Sequence, residues 1–266
     1  MNHPRRRATL TCLAAGLLTA ALPAVSAAAY PDKPIRLVVP FPPGQGADIL
    51  ARLIGQHLAA ALGQPIVVEN KVGAGGIIGT AFAAKAAPDG YTLYMGSSGP
   101  LAIGPHVYKA VGFDTLKDFA PISNIASVTQ VLVTAPASQL ASAKDVVERA
   151  RAQPGMVPFG SAGSGTTSHL TMELFTQMSG ISLSHVPYKG SSTSMIDVMA
   201  GRVPLMFDSL PGVLTNVKSG SLRAIAVASA QRDPLLPNVP TVAESGVPGF
   251  ATSGWIGLLA PARTPP

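Results

Sequence analysis

The sequence has almost no cysteine, since Cys12 is the single one in 266 residues. A chain with no cysteine after residue 12 forms no internal disulfide, and it has no thiolate there to act as a nucleophile or to ligate zinc or an iron–sulfur cluster. Charged residues are also scarce, at 12%, whereas 47% of the residues are hydrophobic. This balance excludes a disordered chain and is ample for a well-buried core.

The cationic excess is small and concentrated at the start of the chain. The formal net charge is +6, but three of the nineteen cations are Arg5, Arg6 and Arg7. Residues 30–266 retain sixteen cations against thirteen anions. A nucleic-acid-binding surface needs clustered Lys and Arg with interleaved aromatic side chains, so we expect neither DNA nor RNA as a partner.

Long hydrophobic runs are missing apart from a short one near the N-terminus. Arg5 to Arg7 precede an apolar stretch from Leu10 to Leu22, and small residues follow up to Ala29. These are the three parts of a secretory signal peptide, which we expect to occupy residues 1–29 with cleavage after Ala27 or Ala29. No later stretch reaches 18 consecutive apolar residues, so we expect an exported, soluble protein of the periplasm. Sec and twin-arginine export both stay open.

Motifs for nucleotide binding and for nucleophilic catalysis are absent as well. Ile78 and Ser168 stand where a GxGxxG motif needs its third glycine, and the sequence contains neither GxxxxGK[ST] nor GxSxG. We therefore expect no cofactor, no metal and no enzymatic activity. A secreted α/β hydrolase that uses His169 or His185 is the alternative that these residues leave open.

Alternating strand and helix patterns run along the rest of the chain. Ile35 to Val39 has the pattern of a buried strand, and apolar residues from Leu50 to Leu62 recur at helical spacing before Gly63 and Pro65. Further strands are predicted at residues 66–68, 91–95, 157–160, 183–186, 203–207 and 222–228 and near Val131, with helices over 77–87 and from near Ser142, Thr167, Ser192 and Leu210. This alternation predicts an α/β fold with mixed sheets flanked by helices.

Three loops that follow strands are dominated by glycine and small polar residues, at positions 40–48, 73–76 and 160–168. Ligands of α/β proteins bind beyond the carboxyl ends of strands, where glycine lets backbone N–H groups approach and a helix N-terminus adds partial positive charge. One such loop alone is as well explained by a tight turn, but three together predict an anion site. Because the phosphate motifs do not fit, the expected anion is a carboxylate. Asp48 and Asp208 either contribute to this site or cap helices.

The motifs in this chain resemble those of the Bug family of periplasmic receptors, which serve tripartite tricarboxylate transporters. The resemblance runs from Tyr30 to the last residue and is carried by segments 30–35, 39–41 with Asp48, 69–76, 88–93, 160–166 with His169 and Glu173, 186–190, 220–227 and 239–246. One departure is Gln45, which stands between Gly44 and Gly46 where the family loop has consecutive glycines. We expect its side chain to enter the pocket or to supply an amide donor there.

The resemblance implies a two-lobed, type II periplasmic binding protein that closes on a small mono-, di- or tricarboxylic acid. It implies residues 30–127 with 250–266 as lobe 1, residues 128–249 as lobe 2, and a C-terminal part of lobe 1 that is missing. The expected partners are a small organic acid and membrane permease subunits, with the receptor acting as a monomer; a sensor that presents its ligand to a membrane kinase is the other reading. The expected ligand-binding residues are Phe41, Gly44, Gln45, Gly46, Ala47, Asp48, Gly73, Ala74, Ser97, Ser98, Gly163, Ser164, Gly165, Thr166, His169 and Asp208.

Overall fold

The structure is a computed structural model that describes residues 30–266, so the predicted signal peptide lies outside the described residues. Lys33–Pro266 forms one compact unit. Its strands are β1 (Ile35–Val39), β2 (Ile66–Asn70), β3 (Thr92–Ser97), β4 (Phe119–Thr134), β5 (Pro158–Ser161), β6 (Ser184–Pro187), β7 (Leu205–Ser209), β8 (Arg223–Val227) and β9 (Ser253–Pro261). Its helices are α1 (Gly46–Leu62), α2 (Ile77–Ala84), α3 (Gly104–Val107), α4 (Ala143–Ala152), α5 (Thr167–Ser179), α6 (Ser191–Met199) and α7 (Leu210–Lys218), with short helical turns at Ala74–Gly76 and Gly99–Ile103.

These strands form one mixed sheet in which β4 links two regions. In the first sheet region the order is β2-β1-β3-β9-β4, with β1 parallel to β2 and β3. In the second sheet region the order is β4-β7-β5-β6, with β8 also paired to β4 and with β5 parallel to β6 and β7. The segment 119–129 of β4 pairs with β9, and the segment 130–134 pairs with β7 and β8. Both regions therefore share one continuous strand.

Helices pack on the sheet through their apolar faces and form several hydrophobic cores with it. In the first region Ala47 and Ala51 of α1 pack with Leu37 of β1. In the second region α5 packs on one face of the sheet through Met172 and Phe175, while α6 and α7 pack on the other face. Full burial of a large apolar side chain contributes about 1.5–3 kcal/mol to stability. These cores therefore fix the positions of β1, β5 and β7 and of the loops at their carboxyl ends.

The predicted α/β alternation is confirmed. Helix α4 begins with a capping box, in which Ser142 and Asp145 bond to each other's backbone amide. The length of β4 was not predicted. Pro121 has no N–H to donate and polar residues surround it, which lowers the strand signal; the structure accommodates this stretch with register shifts near Pro121 and Asn124. The lobe boundaries inferred above stay a prediction. Among residues 30–266, no helix combines the length and the apolar character that crossing a bilayer requires.

Candidate ligand-binding cleft

A cavity of about 50 Å³ lies where the carboxyl ends of strands from both sheet regions meet. The first region contributes residues from the β1–α1 loop, from the end of β3 and from β9, and the second contributes residues from the β5–α5 and β7–α7 loops. The lining residues are Phe41, Gln45, Ala47, Ser97, Ser98, Gly99, Val128, Gln130, Ala162, Thr166, Thr167, Ser168, Asp208, Ser209, Gly254, Trp255 and Ile256. None of these residues is a lysine or an arginine.

Three helices begin at this cavity. The N-cap residues Gln45 of α1, Thr166 of α5 and Ser209 of α7 all line it. The Thr166 side chain caps its own helix, whereas Gln45 and Ser209 make no side-chain cap. The first N–H groups of a helix have no intrahelical acceptor and stand at the positive end of its dipole, so three such ends create a site for an anion without any cationic side chain.

Asp208 is the one ionisable side chain in the wall of the cavity. It is 3% exposed, and its Oδ2 atom has no hydrogen-bond partner. Burial raises the pKa of Asp208 to about 6, and the nearby Ser191 and Ser209 only partly offset this rise. Gln130 Oε1 is a second buried acceptor without a partner in the same wall. A ligand that presents a donor group, or an ordered water, would satisfy these acceptors.

Asp48 holds the first glycine loop in place rather than lining the cavity. Its Oδ2 accepts from Gly44 N and from Arg52 Nε, both at 2.9 Å, and its Oδ1 accepts from Arg52 and from Asn70 Nδ2. Burial alone would raise the pKa of Asp48, but these hydrogen bonds outweigh it and lower the pKa. The carboxylate is thus fully engaged within the first region, where it fixes the start of α1.

Two stacked histidines support the glycine loop at residues 160–168. His169 Nδ1 accepts from Gly165 N at 3.2 Å, so this nitrogen carries no proton. The ring of His185 stacks on His169 with centroids 3.9 Å apart, and its Nε2 is 2.6 Å from Ser161 Oγ. Burial lowers the pKa of both rings, for His185 to about 4 with a further contribution from His169. Both rings are therefore neutral near pH 7 and act as hydrogen-bonding supports.

The Ser161–His185 pair does not form a hydrolytic site. Ser161 is fully buried, and its hydroxyl oxygen also accepts from Gly163 N at 3.1 Å. A serine nucleophile has to reach a substrate, whereas this one orders its own loop. Among residues 30–266, no group of three His, Cys, Asp or Glu side chains is placed to hold a metal ion.

Direct contacts join the two sheet regions beside the cavity. Ser98 Oγ and Thr167 Oγ1 are 2.9 Å apart, and Tyr108 OH donates to the Ser164 carbonyl at 2.8 Å. A third contact joins Ser191 N to Gln45 Oε1 at 3.2 Å. Gly75 is tightly fitted as well, because a Cβ atom there would lie 2.8 Å from the Ser164 carbonyl oxygen.

The predicted site residues fall into three groups. Those that line the cavity are Phe41, Gln45, Ala47, Ser97, Ser98, Thr166 and Asp208. Those that line only a neighbouring cavity of about 340 Å³ are Gly73, Ala74, Gly163 and Ser164. Those that line neither cavity are Gly44, Gly46, Asp48, Gly165 and His169. Gly46 nevertheless faces the second region, since a Cβ atom there would lie 2.3 Å from Ser209 Oγ, while Gly165 packs against Tyr108 and Val107.

Sequence reasoning missed the part of the wall that comes from β4 and β9. Val128, Gln130, Gly254, Trp255 and Ile256 line the cavity from these strands, which pair with each other next to it. Strand residues of this kind carry no loop signal, and only the pairing of two segments about 125 positions apart brings them to the site. Thr167 and Ser168 also line the cavity; they lie within the predicted loop 160–168 but were not among the expected ligand-binding residues.

Comparison with known proteins identifies the family. The model of the family described as "Tripartite tricarboxylate transporter family receptor" matches residues 50–266. The chain belongs to this receptor family. The resemblance inferred from the sequence motifs is confirmed, and so is the prediction that the protein is not an enzyme, because the family consists of solute-binding receptors.

Individual members of the family are similar over most of the chain. Protein BugT of Bordetella pertussis is 42% identical over 243 residues, which cover 91% of this chain and 74% of BugT. The structure of R. palustris Rpa4515 with adipate is 39% identical, with a TM-score of 0.86 and coverage of 89% of this chain and 79% of that one. MatC from Rhodopseudomonas palustris with bound malate is 30% identical, with a TM-score of 0.83 and coverage of 89% and 80%. These similarities confirm the predicted periplasmic-binding-protein fold.

Proposed function

We propose that this protein is an extracytoplasmic receptor for a small organic acid, which it delivers to the permease of a tripartite tricarboxylate transporter. The observation that carries the proposal is the meeting of three helix N-termini at one cavity whose wall contains no lysine or arginine. A carboxylate is an anion that backbone N–H groups and hydroxyls hold well without a cationic side chain. The adipate and malate held by the two R. palustris relatives support the same class of ligand.

In this proposal, both sheet regions donate hydrogen bonds to the acid. The start of α1 at residues 45–48 holds the acid from one side, and the loop at residues 163–167 holds it from the other. Hydrogen bonds to a charged group contribute about 1.5–3 kcal/mol each, so three or four of them support a micromolar complex, which requires about −8 kcal/mol. The apolar wall of Phe41, Val128 and Ile256 accommodates the carbon chain of the ligand.

Closure and opening form part of this function. Sites for small molecules typically enclose about 300–1,000 Å³, so a cavity of about 50 Å³ must widen to admit a six-carbon diacid. The two chain segments that link the sheet regions next to the cavity belong to β4 and β9. We infer that the lobes rotate about these segments and that the ligand favours the closed arrangement.

The same proposal places the mature protein in the periplasm, after cleavage of residues 1–29, where it acts as a monomer that binds permease subunits. An alternative partner, a membrane sensor kinase, would use the same site.

The test is a thermal-shift series with adipate, malate, acetate and citrate, each compared with its amide or methyl ester. We expect at least one acid to raise the melting temperature, while the uncharged derivatives leave it unchanged. Native mass spectrometry of the protein purified from cells would show the mass of any acid that co-purifies. No stabilisation by any mono-, di- or tricarboxylate would contradict the proposal.

A further inference from the structure

The side chain of Gln45 crosses the cleft. Gln45 is the N-cap residue of α1 in the first sheet region, but its side chain does not cap α1. Its Oε1 atom instead accepts a hydrogen bond from the backbone N–H of Ser191, the first residue of α6 in the second region, at 3.2 Å. Because the donor is a backbone N–H group, the amide oxygen must face Ser191. Gln45 is 8% exposed and also lines the cavity.

The helix that Gln45 reaches has no side-chain cap of its own. The N-cap residue of α6 is Gly190, which has φ 118° and no side chain. Ser191 is fully buried, so its N–H would lack a partner if the cleft stayed shut without Gln45. Removal of an N-cap acceptor typically lowers the population of the capped state about fivefold.

The surrounding backbone is shaped for this contact. A Cβ atom at Gly190 would lie 2.3 Å from Pro42 Cγ and 3.3 Å from Gln45 Oε1. Gly190 therefore lets the loop that contains Pro42 and Gln45 come against the start of α6. Separation of the two regions would break this contact and expose both groups to water.

We propose that Gln45 is a positioning residue that caps α6 across the cleft and thereby favours the closed arrangement before any ligand is bound. Its effect on ligand release rests on the proposed receptor function, whereas its effect on closure does not. The cap stabilises the closed state by roughly fivefold in population, the size of one typical capping bond. Ligand then binds to a protein that is already partly closed.

The test of closure measures the distance across the cleft without ligand. Since residues 30–266 contain no cysteine, the exchanges Lys109→Cys and Lys189→Cys at two exposed positions provide the only labels in the processed protein. We expect a short distance by double electron–electron resonance in the parent and a roughly fivefold growth of a longer component in Gln45→Met, which keeps the volume but removes the acceptor. Gln45→Glu, which retains an acceptor, should restore the short distance. Gln56→Ala, at an exposed position of the same helix, should leave it unchanged.

An open parent without ligand, a Gln45→Met protein as closed as the parent, or a Gln45→Glu protein as open as Gln45→Met would each overturn the proposal. Circular dichroism melts establish that the variants are folded. A second arm uses adipate and malate in stopped-flow release: Gln45→Met should release the acid roughly fivefold faster, while Gln45→Glu should bind it more weakly, because its charge stands next to the carboxylate. If neither acid binds the parent, the receptor proposal is in question, but the distance measurement still decides the role of Gln45.

Discussion

At the scale of single residues, the buried Asp208 and the half-buried His185 respond to pH with opposite signs. The pKa of Asp208 is raised from its ordinary 3.8 to about 6, and the pKa of His185 is lowered from 6.5 to about 4. The contribution of Asp208 to stability is fully present below pH 3.8 and is lost as the pH rises through about 6. That of His185 is present above pH 6.5 and is lost as the pH falls through about 4. Both changes in stability fall between about pH 4 and pH 6.5, so they oppose each other in the parent protein.

The exchange Asp208→Asn should therefore expose the pH response of His185. The amide mimics the neutral carboxyl group, so we expect the stability of the variant relative to the parent to increase between pH 4 and pH 7.5, by up to about 3 kcal/mol. Urea unfolding at a series of pH values measures this difference. His185→Gln should change the slope in the opposite direction. A difference between Asp208→Asn and the parent that stays constant with pH would show that Asp208 is not perturbed.

The network around Asp48 leads to a prediction about the first glycine loop. In Asp48→Asn the charge-assisted bonds with Arg52 are lost and Gly44 N–H keeps at most a neutral acceptor. We expect a loss of about 2–3 kcal/mol in the free energy of unfolding, together with weaker binding of whichever acid the thermal-shift series identifies. Glu148→Gln, in an exposed pair with Lys144 at 3.7 Å, is the control and should cost under about 0.5 kcal/mol. Equal effects of the two exchanges would refute a positioning role for Asp48.

At the scale of elements, helix N-termini rather than side-chain charges define the site. Thr167 is the first residue of α5 and lines the cavity. A carboxylate side chain at this position interacts favourably with the positive end of the helix dipole, but it repels an anionic ligand. We expect Thr167→Asp to retain or raise the melting temperature. We also expect it to lower the affinity for a carboxylate at least about tenfold, or about 1.4 kcal/mol, as measured by titration calorimetry. Thr193→Asp, at an exposed position in the first turn of α6, should retain the affinity. Unchanged binding by Thr167→Asp would exclude the start of α5 as a ligand contact.

The same scale shows what the sequence could predict and what it could not. Short β-α units can be predicted from local sequence. Runs of β-branched residues such as Ile35–Val39 indicate strands, and a glycine such as Gly63, which has φ 68°, indicates the end of a helix, here α1. The loops at the carboxyl ends of these strands were predictable for the same reason. The pairing of β4 with β9 was not, because it depends on partners distant in the chain and on bulges that absorb Pro121. The cavity wall that these strands supply, including Gln130 and Trp255, stayed hidden with it.

At the scale of the whole molecule, the two sheet regions meet at the candidate ligand cavity, which encloses only about 50 Å³. The two sheet regions share β4, and polar contacts such as Tyr108 to Ser164 join them across the cleft. In the proposed receptor, these contacts and the contacts with the acid both favour the closed arrangement. The ligand shifts the equilibrium towards that arrangement only by as much as its affinity for it exceeds its affinity for the open one.

The most direct test of this account is a crystal structure of the processed protein with adipate or malate, whichever binds more tightly in the thermal-shift series. We predict that a carboxylate oxygen lies within about 3 Å of backbone N–H groups at the start of α1 and of α5, with no lysine or arginine side chain in contact with it. A carboxylate held by a cationic side chain, or an acid bound outside the space between the two sheet regions, would contradict the account.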